Sequence, residues 1–274
     1  MVVFPNAKIN LGLRITSKRT DGYHNLDTLF YPIPLFDVLE VVQYPSQDII
    51  FESSGKKIEG TIEQNLCAKA YHLLKNDFPQ IPGIQVHLHK HIPMGAGMGG
   101  GSADGAFMIK LLNEKFKLGL DNEKMEAYAL QLGSDCPIFI RNKPCYATGR
   151  GEQMKDITLD LSAYYLLMVS PGIHVSTAVA FKNVSPDASI QPCKDIIQEP
   201  IETWKDRLFN DFEKTVFQSY PVLKQIKDDL YALGAVYASM TGSGSSFYGI
   251  YKSLPDGKPF AEKGYELNLI KPKS

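Results

Sequence analysis

The sequence predicts an α+β protein. Segments with a two-residue apolar period and segments with a helical period are mixed in both halves of the 274-residue chain. They do not alternate as regular strand–helix–strand units, and no stretch repeats another. Polar, glycine-rich text around Thr148–Asp156 reads as a junction, so two domains are expected, 1–155 and 156–274.

Composition narrows the function. With 44% apolar and 22% charged residues the chain can bury a sizeable core. A net charge of −1 supplies no global field for nucleic acid or an acidic membrane. A small molecule is therefore the expected partner, with no nucleic acid and no membrane; a homodimer is left open. Cys67, Cys136, Cys145 and Cys193 show neither C-x-x-C nor zinc-like spacing and read as reduced thiols. The opening MVVFPNAKIN has no basic segment followed by a long apolar run, so a cytoplasmic protein is expected.

The elements follow in order. Ala7, Ile9, Leu11, Leu13 and Ile15 alternate with Lys8, Asn10, Gly12 and Arg14, which predicts a strand with one buried face. Lys8 and Asn10 then point the same way, about 7 Å apart by strand geometry. SKRTDGYHN is a turn punctuated by Asp21-Gly22. Strands are expected at Leu26–Tyr31, Val38–Gln43 and Asp48–Glu52. In EQNLCAKAYHLLKND, the residues Leu66, Ala70, Leu73 and Leu74 form a helical stripe, with Asn65 a credible N-cap. IQVHLHK (84–90) alternates as a strand.

After a glycine run, Ser102 is the candidate N-cap of a helix bearing Ala103, Ala106, Phe107 and Leu111, in which Gly105 is a weak point. Met125, Tyr128, Ala129 and Leu132 mark a second helix ending at Gly133, and GSDCPIFI reads as turning into an apolar strand. Beyond the junction come a strand (164–170), a short helix (Ser176–Lys182) and a polar surface excursion (185–200). Two helices (205–219 and 222–233) follow, then a strand pair, AVYASM and SSFYGIY, linked by Thr241-Gly242-Ser243-Gly244. A last helix and strand close the chain.

The informative stretch is MGAGMGGGSAD, with five glycines between Gly95 and Gly101. Lying between a strand and a helix start, bare backbone amides can turn inward and form an anion cradle. The helix adds about half a positive charge at its first turn. A polyphosphate is the expected guest. Gly95, Gly97 and Gly100 satisfy G-x-G-x-x-G, but Asp121 and Glu123 introduce a second helix instead of ending a second strand, so the dinucleotide fingerprint fails on context. A Walker A loop also fails, because no Gly-Lys-Ser/Thr follows. Cationic help must come from Lys8, Lys90 or Mg²⁺. Asp104 reads as an acid complementing the helix dipole, with metal holding as the alternative.

The loop from Pro93 through Met94, Gly95, Ala96, Gly97, Met98, Gly99, Gly100 and Gly101 to Ser102 resembles the phosphate loop of the GHMP small-molecule kinases. FPNAKINLGLRI, DGYHNLDTLF, GSDCPIFI and MTGSGSSFYGIY occur in the order of one member of that family, so the likeness runs from Phe4 to about Tyr251. It implies an N-terminal nucleotide domain shaped like a ribosomal-protein domain and a C-terminal ferredoxin-like domain, with the active site in the cleft between them. It also implies ATP with Mg²⁺, and phosphorylation of the 2-hydroxyl of a cytidine-diphosphate-linked methylerythritol on the non-mevalonate route to isopentenyl diphosphate.

Site residues follow from the same resemblance. Alone, Asp135 in its Gly-Ser-Asp-Cys-Pro turn reads as an aspartate bonding its own backbone, and Lys8 as a lysine reaching solvent. The family's catalytic base falls on Asp135, with Lys8 beside it favouring loss of the hydroxyl proton. Asn10 is the implied contact to the methylerythritol end. Tyr23 and His24 are implied to take the cytosine, with Phe181 closing the other side and Thr177 in the same wall. Asn65 is the implied adenine-side contact, Lys90 reads as meeting phosphate or purine, and Ser102 as touching phosphate or Mg²⁺. Gly242, Ser243 and Gly244 are brought to the site as a second loop. The metal ligands stay unknown. His72, His87, His89 and His174 read as structural or solvated. Gly99→Val is expected to abolish ATP affinity in a folded protein. Three rivals remain: a sibling kinase on homoserine or mevalonate, a dinucleotide oxidoreductase, and a nucleotide sensor with Asp135 idle.

Overall fold

In the computed structural model, which describes residues 1–181, 184–189 and 191–272, the strands are β1 (Val2–Val3), β2 (Asn6–Lys18), β3 (His24–Phe36), β4 (Val38–Gln43), β5 (Ile49–Gly55), β6 (Ile84–Lys90), β7 (Cys145–Gly149), β8 (Gln153–Asp156), β9 (Tyr165–Ser170), β10 (Tyr237–Met240), β11 (Phe247–Tyr251) and β12 (Glu266–Ile270). The helices are α1 (Leu66–Asp77), α2 (Gly100–Phe116), α3 (Asn122–Leu132), α4 (Pro137–Arg141), α5 (Thr177–Phe181), α6 (Cys193–Ile196), α7 (Phe212–Ser219), α8 (Pro221–Ala232) and α9 (Lys258–Ala261). The chain forms two units interleaved in sequence. One holds Met1–Lys8, Pro32–Met94 and Gly99–Lys143; the other holds Ile9–Tyr31, Gly95–Met98 and Pro144–Ser274.

In the first unit, β1, β4, β6 and β5 form a sheet in that order. β4 runs antiparallel to β6 and β5 parallel to it. α1 and α2 pack together and contact this sheet. α1 begins where expected: the Asn65 side chain accepts the Cys67 amide at 2.8 Å, which satisfies one orphan donor of the first turn. Gly105 is not a defect of α2, because a Cβ there would lie 2.8 Å from Leu66 Cβ. Its absence lets the two helices approach.

In the second unit, β10, β11, β9 and β12 form an antiparallel sheet. Leu167, Val169, Ala238 and Phe247 of this sheet bury against Phe212, Val216, Leu223, Ile226 and Leu230 of α7 and α8. A third sheet orders β2, β3, β7 and β8.

Four expectations change. GSDCPIFI leads into a helix, α4, not a strand, because Pro137 sits at its first position, where a missing N–H costs nothing. Thr148–Asp156 is part of the β7–β8 hairpin, with Thr148 opposite Gln153. The excursion is continuously exposed over 185–189, but from 193 on exposed and buried residues alternate. Cys193, Ile196, Ile197 and Trp204 are buried, because aliphatic and indole side chains outweigh the neighbouring prolines and charges. Finally, β2 is buried on both faces: Lys8 and Asn10 are each 2% exposed. The helix expected to reach Lys182 is seen to Phe181, and Lys182 lies outside the described residues.

All four cysteines are buried thiols. Burial pushes the Cys136 thiol up to about 12 and those of Cys67 and Cys193 well above the usual range. Reaction requires thiolate and access. Ellman's reagent is expected to label none of the four cysteines in native buffer and all of them after unfolding; rapid labelling of folded protein would contradict this burial. No helix among the described residues is long and apolar enough to cross a membrane.

Candidate active site

The first unit brings Lys8 and Asp135 together. Lys8 Nζ lies 3.4 Å from Asp135 Oδ2, with side-chain exposures of 3% and 39%. The lysine charge is thus carried on a buried stem, while the carboxylate stays open to an incoming molecule. The pairing follows from two local features. β2 turns Lys8 opposite to Ala7 and Ile9, and the Gly133–Cys136 turn, closed by the Cys136 amide on the Gly133 carbonyl at 3.1 Å, presents Asp135 just before α4.

The glycine loop enters after β6 and leaves through α2. Ser102 is not its N-cap. Gly99 holds that position at φ +72°, and α2 starts at Gly100. Only a residue tolerant of the left-handed region closes the loop here, which displaces the Ser102 side chain into the first turn. Gly99 provides no side-chain cap, so the amides of Gly100, Gly101 and Ser102 point outward from the helix start, the arrangement that attracts anions. The Ser102 hydroxyl bonds the Cys136 thiol, next to Asp135. The pair and the helix start meet at one place: a Cβ on Gly99 would lie 3.3 Å from Lys8 Cε and 2.9 Å from Phe139 Cζ.

Lys90 is 1% exposed and gives its Nζ to Asp37 and, at 2.7 Å, to Asp104 Oδ2. Burial opposes its charge, but Asp104 and Asp37 outweigh that and hold it above the usual lysine value. Burial likewise pushes the Asp104 carboxyl up to about 8 against the pull of Lys90. The expected meeting of Lys90 with phosphate or purine is therefore not how the structure uses it: its charge is consumed inside the unit. Asp104 is equally withdrawn, at 3% exposure, which removes it as a metal holder.

The second unit contains the other half of the loop and the residues assigned to the second substrate. Thr241 Oγ1 donates to the Gly97 carbonyl at 3.1 Å, and a Cβ on Gly97 would fall 1.9 Å from the Thr241 carbonyl oxygen. Gly97 and Gly242 therefore let the two glycine loops touch. Asn210 fixes the second loop by donating to the Met240 and Gly242 carbonyls at 2.9 and 2.8 Å. Asn10 donates through Nδ2 to Thr28 Oγ1 at 2.9 Å, and its amide donates to Thr241 Oγ1. Its side chain anchors these strands. His24, the first residue of β3, stacks on Phe181 with ring centroids 4.8 Å apart, and Phe181 meets Phe212 edge-on at 4.7 Å. Of the expected pair Tyr23 and His24, it is His24 that faces Phe181. Tyr23 is 56% exposed, with the Arg150 guanidinium 5.0 Å from its ring centroid. Thr177 is exposed at the start of α5.

Two neighbours escaped the sequence reading, Asp37 and Arg150, while His174, expected to be structural or solvated, has its ring against Gly95. Asp37 alone left a trace, as an acid inside the apolar run PLFDVLEV.

Comparison with known proteins places the chain in a family. Residues 65–143 match the GHMP kinases N terminal domain and residues 194–266 the GHMP kinases C terminal model. A 4-diphosphocytidyl-2-C-methyl-D-erythritol kinase of Bacteroides fragilis is 53% identical over 253 residues, covering 92% of each chain. A crystal structure of 4-(cytidine 5'-diphospho)-2C-methyl-D-erythritol kinase superposes with TM-score 0.82 at 31% identity, covering 98% of both chains. The Methanococcus jannaschii mevalonate kinase shares the fold, with TM-score 0.70 at 13% identity over 98% of this chain and 96% of that one.

Proposed function

Because the chain belongs to the GHMP kinases, with relatives named 4-diphosphocytidyl-2-C-methyl-D-erythritol kinase across most of its length, we propose that it transfers the γ-phosphoryl group of ATP to the 2-hydroxyl of 4-diphosphocytidyl-2-C-methyl-D-erythritol. The products are the 2-phosphate and ADP, on the methylerythritol phosphate route to isopentenyl diphosphate. The observation that carries the chemistry is the Lys8–Asp135 pair, 3.4 Å apart and beside an uncapped helix start. Phosphoryl transfer asks the protein mainly to position and to place charge.

Asp135 takes the hydroxyl proton on its exposed carboxylate. Lys8, held against Gly99, offsets negative charge that develops on the attacking oxygen. The outward amides of Gly100, Gly101 and Ser102 receive the phosphates of ATP, and Asn65 lies on its adenine side. His24, Phe181, Tyr23 and Thr177 are assigned to the cytidine end. Mg²⁺, when bound with ATP, would supply charge neutralisation on the phosphates. The Ser102 hydroxyl, in the first turn of α2, is a side-chain oxygen that would help to hold it.

Every residue invoked belongs to one chain, so no dimer is required. The division into 1–155 and 156–274 is retained as the functional boundary, since the two family segments fall on either side of it. The cytoplasm is the compartment that suits four buried thiols. A coupled assay of ADP release tests the substrate. Turnover is expected with the cytidine compound and not with homoserine or mevalonate, and a preference for either of those would overturn the assignment.

A further inference from the structure

We propose that Asp37 is a positioning residue for the phosphate loop: through a buried Asp37–Lys90–Asp104 chain it fixes where the loop enters and leaves. The inference rests on the ATP-dependent reading above.

Asp37 occupies the break between β3 and β4 and is completely buried. Its Oδ1 accepts two backbone amides, those of His91 at 2.6 Å and Ile92 at 2.9 Å. These are the last residues before Pro93 opens the loop. Its Oδ2 takes the Lys90 ammonium, which donates in turn to Asp104 Oδ2 at 2.7 Å. Asp104 stands in α2, one turn past the helix start that closes the loop. One carboxylate thus grips the entrance, one ammonium crosses beneath, and a second carboxylate belongs to the exit. The crossing lies directly under the cradle, since a Cβ on Gly100 would come within 3.3 Å of Lys90 Nζ. Asp37 is itself tied down, its amide donating to the Pro5 carbonyl at 2.8 Å, and the Lys90 carbonyl accepts the Lys56 amide at 2.8 Å.

Stability alone does not account for such a group. A buried ion pair is often no better for stability than apolar side chains of similar volume, because two charges must be desolvated. What this chain does supply is a fixed separation between two ends of a glycine-rich segment that has little side-chain packing of its own. Donors held in place before an anion arrives bind it more tightly than donors that must be ordered by it.

The test measures both Michaelis constants, kcat and Tm for Asp37→Asn and for the triple variant Asp37→Asn/Lys90→Met/Asp104→Leu. Asn retains the acceptor for the two amides, and the triple variant removes every charge of the chain. In each, KM for ATP is expected to rise about tenfold or more, the effect of losing a charge-assisted hydrogen bond. Both kcat and KM for the cytidine substrate are expected to stay near wild type, a split that a general loss of structure does not produce. Unchanged KM for ATP, a parallel fall in all parameters, or failure of both variants to fold would assign the chain to stability alone and overturn the proposal. A wild-type protein that does not turn over ATP would overturn the kinase reading beneath it, a distinct outcome.

Discussion

Asp135→Asn is expected to lower kcat by about 10²-fold or more, the usual cost of removing a general base, while KM for ATP stays close to wild type. The substitution keeps the shape of a side chain that is 39% exposed, so the fold has little reason to respond, and Tm should move by no more than a few degrees. Lys8→Met is expected to match it. Lys8 is nearly inaccessible at 3% side-chain exposure, and its stem passes under Gly99, so methionine preserves the packing and removes only the charge. Because both residues serve one proton transfer, the double variant should be scarcely worse than either single one. Steady-state kinetics with saturating cytidine substrate decides the matter. Either single variant within threefold of wild-type kcat would remove that residue from the chemistry.

Gly97→Ala is expected to be the most damaging single-methyl addition in the phosphate loop. Its new Cβ would sit 1.9 Å from the Thr241 carbonyl oxygen at φ +79°, and backbone atoms have nowhere to yield. An alanine in the left-handed region also costs about 1–2 kcal/mol before any clash. Loss of cooperative melting, or a large fall in Tm, is the expected readout. Gly101→Val forms the contrast. Gly101 lies in the first turn of α2, outside the left-handed region, and its Cβ would meet only Met94 Cε at 3.7 Å, an ordinary contact. Tm should hold or rise slightly, since valine is no worse than glycine in a helix. If phosphates lie over this turn, KM for ATP should rise at least tenfold, a loss of about 1.4 kcal/mol in binding. Normal ATP binding by a folded Gly101→Val protein would remove the cradle from that turn. The structure also revises Gly99→Val. With φ +72° and Phe139 at 2.9 Å, that variant is expected to lose stability as well as affinity, so it is a poor test of nucleotide binding alone.

The parts of the fold that were legible are those whose cause is local. The stripe of α1 with its Asn65 cap, the alternation of β6 and the hairpin partners β10 and β11 each show a period or a cap within a dozen residues. Where the reading failed, the cause was remote or shared. β2 alternates apolar and polar residues as a half-exposed strand would, yet Lys8, Asn10 and Arg14 are buried because Asp135, Thr28 and Asp211 reach them from elsewhere in the chain. Periodicity distinguishes polar from apolar; it does not distinguish water from a polar partner. Ser102 carried the right side chain for a cap, but the left-handed Gly99 took the position, and nothing in the one-dimensional text ranks the two. Pro137 fits a turn by its local sequence, yet it opens helix α4.

The same division runs through the candidate site. Residue type and order alone determined that a glycine-rich anion loop joins a strand to a helix and which kinase family the order of motifs resembles; only that resemblance singled out Asp135 and Lys8 for proton transfer. Backbone conformations and short motifs are written in neighbouring residues, so these features survive in the sequence. Only the tertiary structure decided that Lys90 spends its charge on Asp37 and Asp104, that His24 stacks on Phe181, and that Gly97 is bare to admit Thr241. Each of these depends on residues far apart in the chain arriving within a few ångströms. Burial and pairing energies are properties of that arrival, carried by no single segment.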